Sequence, residues 1–174
     1  MLLMRLATIS SALLSALLLF SGVGAAAVAD KKAPSCAAKA KKAAVKAIES
    51  AYEVVINGTN ADHTLDEKLS LIEGADDPGF RAVLEDVATT HADDLNTTTV
   101  VVQEVVCTGK RTAGVRFQLV LDGEPDGGLA PPGGAVVDNG LWKVTRATVC
   151  QLVALADPTL LEHGPCASAL ASLN

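Results

Sequence analysis

Four kinds of residue in this chain could do chemistry. Cys36, Cys107, Cys150 and Cys166 can form two disulfides in an oxidising compartment, and four cysteines allow three pairings. His63, His91 and His163 are the imidazoles available to a metal. They lie far apart, and none belongs to a histidine pair one helical turn apart or to a tight acid–histidine cluster, so they read as surface histidines. The acidic pairs Asp76-Asp77 and Asp93-Asp94 lack the alternating oxygen ligands of a calcium loop, and Asp77 before Pro78 reads as a helix cap. No metal and no cofactor is therefore expected. The lysines are the fourth kind. Lys31, Lys32, Lys39, Lys41, Lys42 and Lys46 put six charges into residues 30–46 against one acid, Asp30, whereas residues 49–94 hold twelve acids against Lys68 and Arg81. A Lys-rich first helix on an acidic body can dock on an anionic envelope polymer or membrane surface. The plainer reading is a solvated helix end that keeps the protein soluble.

These residues need elements to hold them. A chain of 174 residues is sized for one domain with appendages. Its composition is 49% apolar but only 3% aromatic, so the core is built from Val, Leu, Ile and Ala. A net charge of −6 and a pI near 5.0 exclude a generally basic nucleic-acid binder. Residues 1–29 read as a signal peptide: a positive start ending at Arg5, an apolar run from Leu6 to Val28, and Ala27-Val28-Ala29, the small-x-small pattern that signal peptidase needs. Cleavage is expected between Ala29 and Asp30, giving a secreted protein with no membrane span; an uncleaved anchor is the competing reading, because the run is long enough to cross a bilayer. Lys31, Lys32 and Pro34 separate Cys36 from that run, so Cys36 is not a lipid-attachment cysteine.

After a basic leader over residues 30–44, the spacing of Val45, Ile48, Ala51, Tyr52 and Val55 predicts a helix over residues 37–56, stopped by Asn57-Gly58. Thr64-Leu65-Asp66-Glu67 is a capping box for a short helix ending at Gly74, and Asp77-Pro78 opens a third that runs to about His91. From Asn96 the pattern changes. Residues 97–106 are almost all β-branched, Thr108-Gly109-Lys110 reads as a turn, and Val115, Phe117, Leu119 and Leu121 alternate. Residues 122–134, with five Gly and three Pro, read as a long loop, and Asn139-Gly140 joins strands over 135–138 and 141–146 as a hairpin. Residues 148–156 are helical, and Asp157-Pro158 begins a tail over 157–174. Helices followed by antiparallel strands give an α+β domain over residues 45–156, with helices on one face of a curved sheet.

Two segments carry a resemblance. Lys68-Leu69-Ser70-Leu71-Ile72-Glu73-Gly74 and Gly140-Leu141-Trp142-Lys143-Val144-Thr145-Arg146-Ala147-Thr148, with Leu152 after it, resemble the low-molecular-weight secreted antigen family of mycobacteria and their relatives. The likeness covers residues 45–156 in order. It implies a nuclear-transport-factor-2-like (cystatin-like) cone with helices in the concave face of a bent antiparallel sheet. It also implies secretion, and no established catalytic activity. The cysteines and the Lys-rich first helix depart from the family pattern, so the chain reads as a disulfide-bearing relative whose partners need not be those of better-known members. A bacterial source would leave the sequons at Asn57 and Asn96 unused.

The implied cone often holds a pocket between helices and sheet, and Tyr52, Phe117 and Trp142 are its candidate lining. With so few aromatics in the chain, filling the core is the preferred role for them. Glu104 and Asp138 are strand carboxylates, but nothing in the sequence brings them near Tyr52, so no acid–base pair and no enzyme is expected. The strand order implied by the resemblance and by hairpin logic sets Cys107 and Cys150 at opposite edges of the sheet. It thereby favours Cys150–Cys166 with Cys36–Cys107; Cys107–Cys150 with Cys36–Cys166 stays open. The function expected is that of a secreted, non-enzymatic binding module or surface antigen. The alternative is a small-molecule carrier or enzyme using an apolar pocket.

Overall fold

The computed structural model describes residues 32–58, 62–125, 131–161 and 164–171. The apolar N-terminal run, the Ala29–Asp30 junction and His163 lie outside the described residues.

Helix α1 (Lys41–Ile56) buries Ala44, Ile48, Ala51, Tyr52 and Ile56, one face at helical spacing. It starts later than the sequence predicts. No side chain caps Ala40, and residues 37–40 form a turn in which the Ala37 amide donates to Ser35 Oγ, while Cys36 is tied down by its disulfide. Helix α2 (Leu65–Ser70) begins with the full capping box between Thr64 and Glu67. Helix α3 (Pro78–Thr90) begins on Asp77, whose Oδ1 accepts from the amides of Gly79 and Phe80. A further short helix, α4 (Ala92–Thr97), leads into the sheet. The sequence reading missed it, because Thr97 looked like the first strand residue.

The strands are β1 (Thr98–Cys107), β2 (Thr112–Leu121), β3 (Glu124–Pro125), β4 (Gly133–Asp138) and β5 (Leu141–Val144). All pairs are antiparallel in the order β1-β2-β4-β5, with β3 as a short hairpin on β2. β1 and β5 are therefore opposite edges, yet α1 packs against both. That is possible only if the sheet curls around the helix, a half-barrel with α1 in its concave face. Ala113, Val115, Phe117 and Leu119 of β2 face inward; Leu121, the last residue of the alternation, is exposed where the strand leaves the core. Asp122-Gly123 and Asn139-Gly140 both have positive φ, as two-residue hairpin turns require. The loop predicted over 122–134 thus opens with a tight hairpin. Helix α5 (Arg146–Ala156), capped by Thr145, is followed by a 3-10 turn (Pro158–Leu161) and by α6 (Pro165–Ala171), a helix the sequence reading left as tail.

Glu67 and Asp77 titrate below the usual carboxylate range, first because backbone amides donate to them, from Thr64 and from Phe80 respectively. A carboxylate whose folded pKa lies below its unfolded value contributes stability above the unfolded value and loses it as pH falls through the folded one. Urea midpoints are therefore expected to drop as pH falls below about 4. Asp77→Asn, which keeps a capping oxygen but cannot titrate, should flatten that drop; a slope equal to wild type would remove Asp77 from the account.

Candidate functional site

The two motif segments meet. The chain after α2 lies beside β5 as a parallel bridge between Ile72 and Val144, with the Glu73 amide donating to Val144 O and the Val144 amide to Leu71 O, both at 2.9 Å. Glu73 Oε2 then accepts from the Arg146 amide at 3.1 Å. The Arg146 guanidinium sits 4.3 Å from the centroid of the buried Phe80 ring and 3.4 Å from Asp77 Oδ2. Arg146 Nε is buried and has no hydrogen-bond partner among the described residues. Gly74, at φ +69°, makes the turn beside this arginine; a Cβ there would sit 3.5 Å from Arg146 Nη1. The Glu-Gly of the first motif and the Thr-Arg-Ala of the second are thus halves of one joint, which locks the α2–α3 link onto the free edge of β5.

A second joint ties the rest of the later motif to α1. Tyr52 Oη donates to Gly134 O at 2.9 Å, the Thr145 amide donates to the same carbonyl, and the Gly134 amide donates to Thr148 Oγ1 at 2.8 Å. Burial pushes the Tyr52 phenol far up, so it stays a neutral donor. Gly133 has to be glycine, because a Cβ would lie 2.4 Å from Tyr52 Oη and 2.8 Å from the Phe117 ring.

The expected pocket residues Tyr52, Phe117 and Trp142 all lie in the buried core. Tyr52 and Phe117 meet with ring centroids 5.3 Å apart, inside the core. Trp142 is buried in the same core and donates Nε1–H to Pro34 O at 2.8 Å, where it holds the leader. Glu104 pairs with Arg116 and Asp138 with Lys143, each at 2.8 Å, so neither carboxylate is directed at Tyr52. His63 lies 3.8 Å from Glu67 and His91 3.8 Å from Asp94. The sequence reading missed both of these nearby carboxylates. Among the described residues no cluster of three such side chains could hold a metal. Two grooves flank the motif joint. One, of about 260 Å³, is lined by residues including Asp66, Asp76, Arg81 and Lys143; the other, of about 280 Å³, by Glu73, Gly74, Arg146, Ala147 and Ala169. The burial of Lys143, paired with the half-buried Asp138 beside the first groove, is not what the sequence predicts: Lys143 follows Trp142 in a short strand, where the alternation of faces predicts an exposed side chain.

The lysines are also placed. The disulfide Cys36–Cys107 anchors the leader at the end of β1, and the Cys36 amide and Ser35 Oγ both donate to Lys110 O on the β1–β2 turn. Lys32, Lys39, Lys41, Lys42, Lys46, Lys110 and Arg111 are all exposed. The other disulfide, Cys150–Cys166, joins α5 to α6.

Residues 41–159 match the family described as low molecular weight antigen MTB12, C-terminal domain. The chain belongs to this family. No curated protein matches it. The MTB12 domain begins where α1 begins and ends in the 3-10 turn after α5, so both joints lie within it. Cys107 and Cys150 lie inside the MTB12 domain, whereas Cys36 precedes it and Cys166 follows it. Each disulfide therefore staples a flanking segment onto the MTB12 domain. Among the described residues no helix is long and apolar enough to cross a membrane.

Proposed function

We propose that this MTB12-family protein is a secreted, non-catalytic binding module that docks on the anionic cell envelope through its Lys-rich first helix. The observation that carries the reading is the exposed run of lysines from Lys32 to Lys46, with no acid among them, held on the domain by Cys36–Cys107. Signal-peptide cleavage after Ala29 and two disulfides suit a protein that works outside the cell. The helix in a curled sheet suits a nuclear-transport-factor-2-like cone, and the packing of Tyr52, Phe117 and Trp142 into structural contacts favours binding by the outer surface over a carrier or enzyme pocket.

Protein starting at Asp30 should co-sediment with vesicles containing phosphatidylglycerol and not with pure phosphatidylcholine. The bound fraction should fall steeply between low and physiological salt, as exposed charges are screened over about 8–10 Å. Equal binding to both vesicles, or none to either, would overturn the reading.

A further inference from the structure

We propose that Lys110 and Arg111 of the β1–β2 turn join Lys32, Lys39, Lys41 and Lys42 in a single surface that docks end-on on an anionic phospholipid bilayer. This rests on the docking reading above and extends it to a part of the chain far away in sequence and to one partner. The leader reaches the turn because Cys36 is bonded to Cys107 and its amide to Lys110 O, so the two basic segments cannot part. Asp138 shares this end of the sheet, but its carboxylate is held by Lys143 Nζ at 2.8 Å.

The opposite end of the β1–β2 hairpin has the opposite charge. Asp93 and Asp94 lie on α4, which runs straight into Thr98, and Asp122 and Glu124 follow β2; all four are exposed. A ten-residue strand spans about 30 Å, so the hairpin is charged positive at its turn and negative at its far end. Near an anionic plane such a body orients turn-first. The surface is carried by a turn, a leader and the start of a helix. Its charges are mostly lysines, and the aromatic rings of the described residues, Tyr52, Phe80, Phe117 and Trp142, are buried rather than offered as stacking platforms. Scattered, flexible ammonium groups suit a fluid bilayer, whose headgroups gather beneath them.

The test compares full-length mature protein with two double variants on phosphatidylglycerol vesicles at low salt. Lys110→Gln/Arg111→Gln removes two charges from the turn; Arg81→Gln/Arg116→Gln removes two from elsewhere and controls for net charge. The first should bind about 30-fold more weakly and the second less than threefold. Circular dichroism should show both folded. If wild type binds and the two variants lose affinity equally, binding follows net charge and the composite surface is wrong. If wild type does not bind, the docking reading itself has failed. Equally salt-resistant binding to dextran sulfate would overturn the assignment to a bilayer, because a surface that reads only charge density needs no membrane.

Discussion

A Cys36→Ser/Cys107→Ser variant is expected to lose about 4 kcal/mol of stability, from the entropy of a chain freed across a sequence separation of 71. Cys150→Ser/Cys166→Ser, with a separation of 16, should lose about 3 kcal/mol by the same argument. Urea unfolding at neutral pH measures both. The first loss also frees a segment: Pro34 accepts from Trp142, and Ala33 and Cys36 donate to Gly140 and Lys110, so amides 33–40 should exchange faster in that variant even where it stays folded. A cost smaller than that of the local pair, with protection of residues 33–40 unchanged, would mean that the leader's hydrogen bonds hold it without the disulfide.

Phe80→Ala should cost about 3–5 kcal/mol, because the ring is fully buried and its removal leaves a cavity under the motif joint. The same ring carries the Arg146 guanidinium, so Arg146→Ala should not add independently. The double variant is expected to show coupling of about 0.5–2 kcal/mol. Additive losses would mean that Arg146 and Phe80 are merely neighbours, and that Glu73 alone fixes the second motif segment.

Local physics was plain in the sequence wherever one residue decides an outcome. Thr64 and Glu67, Asp77 before Pro78, and Asn139-Gly140 each meet a stereochemical demand that few other residues satisfy, and each sits where its pattern predicts. The switch from helical spacing to β-branched runs near Asn96 fixed the α+β order. What the sequence could not express were contacts between distant segments. That Glu73 and Arg146 belong to one joint depends on β5 being an edge strand. That Lys110 stands beside Ser35 and Cys36 of the leader depends on a disulfide between the leader and the end of β1. The missed elements α4, β3 and α6 are short, and their ends are set by what they pack on rather than by propensity. The partner of Trp142 is of the same kind: its indole N–H meets the Pro34 carbonyl of the leader, a contact between distant segments that no local pattern expresses.

The most direct test of the docking account is hydrogen–deuterium exchange of the mature, oxidised protein with and without phosphatidylglycerol vesicles at low salt. The account predicts new protection confined to residues 32–46 and 108–112, with residues 78–97 and the groove segments 66–76 and 143–147 unchanged. Protection centred on those grooves or on the acidic helices, or no protection in a sample that binds the vesicles, would contradict it.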